Sequence, residues 1–273
     1  MALSEPDLIH DAEATVSVFG DAVKQFLGGV QDYSTLCART VARMFTRPRY
    51  VADLFTQMDI VGVGSLPIVL LTGFFIGAVM VLQTAAQFVR FGETHLTGDV
   101  VAISLVRELG PSISGLMVAG RNSSGMASEL GSMVVTEQVD AMRAMGTDPT
   151  RKLVVPRVLA TVLVMPLLTA MADLVGLFGG FLTAYFRLRI GGVEFWTRAI
   201  NALELSDIAQ GMSKPIVFGF IIATVGCYQG LTVRGGTQGV GRATTQAVVM
   251  ASVLILISNY FVANIALFLA GKV

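Results

Sequence analysis

Arg107 and Glu108 stand side by side in the middle of an apolar run, Val100–Gly120, and no other pair in the chain is so costly to place. A charge at mid-bilayer costs roughly 2.5 to 3.5 kcal/mol on insertion scales, so such residues face water, a partner or a ligand. Helix neighbours at i and i+1 do not face each other, so each charge needs its own partner. Two chemistries stay open. One is a head-group site near the outer mouth of a lipid cavity. The other is a structural ion pair to another span, for which Asp173 is an available partner of Arg107.

Other chemistry is thinly represented. No GxxxxGK[ST] sequence occurs, so the chain cannot cradle nucleotide phosphates itself. The glycine-rich run Arg234–Arg242 joins two apolar stretches and reads as a tight cytoplasmic turn. Cys37 and Cys227 fit neither a metal spacing nor a disulfide framework. His10 and His95 are isolated, no nucleophile–base arrangement stands out, and Asn122-Ser-Ser matches a glycosylation acceptor only by chance. The sequence therefore predicts no metal, no cofactor and no catalytic centre. A formal net charge of zero argues against a nucleic-acid partner.

The elements that must position these residues are written in hydropathy. Only 14% of the 273 residues are charged against 53% hydrophobic, and mean hydropathy is +0.70. A soluble domain usually carries about a quarter charged residues. The pattern predicts an all-α integral membrane protein. Five stretches approach or exceed the roughly 20 residues that cross a hydrocarbon core, about 60–82, 100–120, 158–186, 215–233 and 243–271. Gly73–Gly77, Gly176–Gly180 and Gly226–Gly230 each read GxxxG, which lets helix backbones approach closely.

Before the spans, residues 1–32 form a polar, acidic cytoplasmic tail, and 33–273 form the membrane domain. Over 33–47, Tyr33, Leu36, Thr40 and Met44 share one helical face while Arg39, Arg43 and Arg47 recur on another. That division predicts an interfacial amphipathic helix with its arginines at phospholipid head groups. A short amphipathic helix is expected over about 130–146, ended by Gly146 at its C′ position. Asp148 then caps the next helix, with Pro149 at its first position. With a cytoplasmic N-terminus, twelve of the 19 lysines and arginines fall inside and seven outside, which favours that orientation and an outer C-terminus.

The run SLVRELGPSISGLMVAGRNSSGMASELGSMVVTEQVDAMRAMGTDPTRKLVVPRVLA and the later GCYQGLTVRGGTQGVGRATTQAVV resemble the MlaE/YrbE permease family. The resemblance extends over roughly residues 35–270. It implies the membrane subunit of an ABC transporter that moves phospholipids or related lipids between a bacterial inner membrane and the cell envelope. It further implies a dimer of two permease copies, a separate ATPase subunit beneath it and an MCE-domain ring protein on its outer face. The 130–146 segment would be the coupling helix, with Glu137, Asp140 and Arg143 as polar contacts and Met142 on its apolar face. Arg107, Glu108 and Leu109 would line the lipid pocket with Met80, Gln87, Phe88 and Phe91 from the outer end of the first span. Some relatives carry bulkier aromatic residues where this chain has Ala85 and Ala86, which bears on pocket width. An ion-coupled secondary transporter, with Glu108 or Asp173 as its titrating carboxylate, is the competing expectation.

Overall fold

In lipid every backbone N–H and C=O must be satisfied within the segment, so apolar runs of this length fold as helices. The computed structural model describes residues 24, 27–44, 46 and 50–269. Helix α1 covers 27–44, α2 Val51–Phe88, α3 Thr97–Val135, α4 Gln138–Ala144, α5 Thr150–Leu188, α6 Gly192–Ala202, α7 Leu205–Leu231 and α8 Gly236–Leu269. Five of these, α2, α3, α5, α7 and α8, are long and apolar enough to cross a membrane. Helices α2, α3 and α5 run beyond both limits that hydropathy sets, and α7 and α8 begin before theirs, because helical geometry continues through the polar interface where apolar composition stops. Most of the expected tail 1–32 lies outside the described residues.

The five long helices alternate in direction. One end of the bundle therefore gathers α1, α4 and the starts of α2, α5 and α8; the other gathers α6 and the starts of α3 and α7. α7 lies between α3, α5 and α8, and α2 packs along α5. Two apolar cores result. One, around Val118, Leu130, Val158, Phe218 and Ile222, lies towards the α4 end and receives Tyr33, Leu36 and Met44 of α1. The second, around Val81, Val101, Leu105 and Phe195, lies towards the α6 end.

The glycine motifs meet one another. A Cβ on Gly77 would collide with the carbonyl of Gly176, and one on Gly73 would come within 2.7 Å of the Ala172 carbonyl. In the same way Gly226 and Gly230 admit the backbone of α3 at Ser123 and Ala127. Helices in lipid gain little from burying apolar area, so this close approach and its dispersion contacts are what hold α2 to α5 and α3 to α7.

Three segments differ from expectation. The predicted helix over about 130–146 is broken at Thr136–Glu137: α3 ends at Val135, and Glu137 adopts φ 59° before α4 begins. The break changes the helical phase, so Val139 is buried while Val135 and Met145 are exposed. The glycine run Arg234–Arg242 is mostly helical. Gly235 and Gly236, with φ of 88° and 67°, make the reversal, and the remainder opens α8. Between the third and fourth spans, α6 is an additional amphipathic helix that buries Phe195 and Ala199.

Gly77→Leu is expected to destabilise the detergent-solubilised protein by about 1–3 kcal/mol through overpacking. Gly120→Ala, whose Cβ would meet nothing within 4 Å, leaves the melt unchanged. Equal thermal melts for the two variants would contradict backbone-to-backbone packing of α2 on α5.

Candidate functional site

The site begins with a missing hydrogen. In an α-helix the Arg107 carbonyl would accept from the N–H of residue 111, but Pro111 has none. Here α3 widens into a π-helical turn over Leu105–Leu109. Lys214 of α7 supplies the donor, its Nζ lying 2.9 Å from the Arg107 carbonyl oxygen. The same ammonium is 2.6 Å from Glu108 Oε2 and is fully buried. Arg107 turns to α7 as well: its Nε is 3.5 Å from Asp207 Oδ1 and its Nη2 donates to Gln210 Oε1 at 3.3 Å. Asp207, Gln210 and Lys214 recur at i, i+3 and i+7, so one face of α7 answers both charges of α3. Asp207 also accepts the backbone N–H of Glu204 at 3.1 Å, closing a capping box that starts α7 three turns from Lys214.

Two cations and two anions thus meet between α3 and α7 with no net charge. A buried charge stripped of its partner costs several kcal/mol, so the arrangement is stable only while complete. Glu108 keeps 42% of its side chain exposed and Arg107 22%, so both retain a face that a polar ligand can reach. At the same end, Arg198 of α6 approaches Asp99 of α3 at 3.4 Å.

Asp173 is not the partner of Arg107. Its carboxylate is buried against Gly110, and neither oxygen has a hydrogen-bond partner. The π turn directs Arg107 to α7 and away from α5. The other expected lipid-pocket residues separate into two groups. Met80 and Leu109 pack at the core towards the α6 end, where Leu109 borders a cavity of about 10 Å³. Gln87 and Phe91 are exposed and Phe88 half-buried at the end of α2. Lys214, Asp207 and Gln210 were not singled out from the sequence. Lys214 precedes an apolar run and counts there as a flanking charge, although its i, i+7 spacing from Asp207 was a usable signal.

At the opposite end, α4 is held by Val139 and Met142, which face the core there. It ends in a Schellman pair, Thr147 N–H to the Met142 carbonyl at 2.9 Å and Gly146 N–H to that of Arg143 at 3.0 Å, with Gly146 at φ 75° as expected. Asp140 and Arg143 pair with each other at 2.7 Å on the exposed side, and Glu137 is exposed at the break. Asp148 Oδ1 accepts the Thr150 N–H at 3.0 Å, and its Oδ2 lies 3.1 Å from Arg43 Nε. Arg43, expected at head groups, therefore ties α1 to the start of α5. Arg39 is exposed, and Arg47 lies outside the described residues.

Further polar links bind this end together. Arg157, buried at the start of α5, reaches Glu129 of α3 at 2.7 Å. Arg121 crosses to the Ile60 carbonyl and Ser65 of α2 at 3.1 and 3.2 Å. Tyr33 of α1 hydrogen-bonds Thr224 of α7 at 2.9 Å, and burial raises its phenol well above the ordinary value, so it stays neutral.

Five apolar helices, with the paired charges of α3 answered by α7, make this a multi-pass membrane protein. A family model described as Permease MlaE matches residues 54–265, and the chain belongs to this family. It is 42% identical over 246 residues to a "Probable ABC transporter permease protein" of Rickettsia felis, covering 90% of this chain and 95% of that one. It is 36% identical over 204 residues to the "Intermembrane phospholipid transport system permease protein MlaE" of Haemophilus influenzae, covering 74% and 78%. The chloroplast protein TRIGALACTOSYLDIACYLGLYCEROL 1 of Arabidopsis thaliana is 37% identical over 229 residues, covering 84% and 65%.

Lys214→Met leaves Glu108 and the Arg107 carbonyl without their donor and is expected to cost about 3–5 kcal/mol. Pro111→Ala returns an N–H to that carbonyl and should recover part of the loss. Additive effects in a double-mutant cycle of chemical unfolding would rule out the shared carbonyl.

Proposed function

We propose that the chain is the membrane-spanning permease of an ABC transporter that moves phospholipids or related lipids between a bacterial inner membrane and the cell envelope. The observation that carries this reading is the charged cluster between α3 and α7. It combines an ammonium, a guanidinium and two carboxylates, complementary to a zwitterionic or anionic head group. Arg107 and Glu108 lie about ten residues inside α3 and Lys214 as deep in α7, where a head group in transit must be sheltered from hydrocarbon, while Asp207 stands in the first turn of α7. The names of relatives in Rickettsia and Haemophilus support the same class.

The mechanism follows from how the ends are joined. An ATPase subunit, which hydrolyses ATP in place of this chain, would press on the exposed face of α4 at Glu137, Asp140 and Arg143. Met142 and Val139 would pass the motion into the core. Glu129–Arg157 and Arg43–Asp148 make α3, α5 and α1 move with it. α3 carries Arg107 and Glu108, so its displacement against α7 would open the Glu108–Lys214 contact and offer both charges to a lipid. Met80, Leu109, Gln87, Phe88 and Phe91 would meet acyl chains when a second permease copy completes the cavity.

In this reading the α4 end and the N-terminus are cytoplasmic, and the C-terminus faces outward. An MCE-domain ring protein would sit at the α6 end. An ion-coupled transporter using Glu108 or Asp173 is the alternative; it needs no ATPase.

Asp140→Ala or Arg143→Ala removes an exposed pair worth at most about 1 kcal/mol, so these variants fold. They are expected to insert normally while ATP hydrolysis by the co-purified complex no longer drives lipid transfer between vesicles. Transfer at the parent rate would refute the role of α4. Glu108→Leu is expected to reduce co-purified phospholipid, read by native mass spectrometry, more than it lowers the melting temperature.

A further inference from the structure

A cavity lined by two arginines lies at the α4 end, apart from the charged cluster and from α4's exposed face. The end of α1 and the starts of α2 and α5 enclose a cavity of about 260 Å³. Its walls sort by depth. Arg151, Val155 and Leu159 of α5 all line it, the guanidinium at the start of the helix and the leucine two turns further along. Arg43 and Thr46 stand at the polar level, and Leu54 adds to the apolar one. Further along α5 the same spacing continues through Leu163 and Leu167, which are 52% and 63% exposed.

Among the described residues the charges around this cavity do not balance. Asp148 is taken by Arg43, and Asp53 by Lys152 at 3.2 Å. Arg151 has no carboxylate partner among the described residues. Its Nη2 donates to Thr46 Oγ1 at 3.1 Å, and its Nε is buried with no acceptor. A buried guanidinium donor without an acceptor is costly, and the planar fork of arginine matches phosphate oxygens.

We propose that this cavity binds the phosphate of a membrane phospholipid, with preference for an anionic head group. The acyl chains run over Leu159 along the Leu163–Leu167 stripe. Free phosphate would satisfy Arg151 but leave the apolar floor unused. Basic pockets between helices at a membrane face hold anionic head groups in this way. The inference rests on the membrane placement of the helices alone and stands apart from the transport reading.

The test uses the full chain in nanodiscs of phosphatidylcholine doped with a photoactivatable phosphatidylglycerol, mapping labelled peptides from 150–160. Parent protein is expected to be labelled there. Arg151→Gln should lower labelling about tenfold, the worth of one charge-assisted bond. Leu159→Trp, which fills the floor and keeps the charge, should lower it as well, and excess inorganic phosphate should not compete. Undiminished labelling in either variant overturns the proposal. So does competition by inorganic phosphate, which would make the site one for the free anion.

Discussion

Lys214 makes two contacts from one atom, and the organisation of the α6 end depends on both. Its ammonium caps a carbonyl that Pro111 leaves without a donor, and it neutralises Glu108. Because α3 is a π turn at that point, Glu108 and Arg107 are both presented to α7. Lys214 serves both a carbonyl and a carboxylate of that turn. The backbone irregularity and the charge pattern are therefore one feature. Any force that slides α3 against α7 must break a charged contact and a backbone bond together, which suits an element with two discrete arrangements.

The opposite end is built from different materials. There the helices are tied by single polar links, Arg157 to Glu129, Arg43 to Asp148, Arg121 to Ser65, around a continuous apolar core. α4 is short, ends in a Schellman pair and is reached through a residue of left-handed conformation at Glu137. Such a backbone costs about 1–3 kcal/mol for a non-glycine residue and persists only where its surroundings over-determine it. The bend keeps α4 against the core while turning Asp140 and Arg143 outward. Between the two ends, the glycine contacts of α2 with α5 and of α3 with α7 hold the spans close without occupying the space that side chains would fill.

Much of this is legible in the sequence. Apolar length alone located five spans, since the bilayer sets that length and composition must match it. Gly146 as a helix stop and Asp148 as a cap were readable because each acts within a few residues of itself. The cost of Arg107 and Glu108 in an apolar run was equally plain. Their partners were not: Asp207 and Lys214 lie about a hundred residues further on, and no local rule links the two stretches. Nor could periodicity show the break at Glu137, because Val135, Val139 and Met142 keep helical spacing in the sequence although the structure buries Val139 and exposes Val135.

The sequence by itself determined that this is a helical membrane protein, how many helices are long enough to cross, that Gly146 stops a helix and which charges demand an answer. These are local matters, decided by hydropathy, capping and the price of a charge in hydrocarbon. Only the tertiary structure decided that α7 and not α5 answers Arg107, that Asp173 stays unpaired against Gly110, and that Arg43 binds α5. Those outcomes depend on how far each helix is rotated about its axis, and rotation is set by glycine contacts and a π turn acting across the whole bundle.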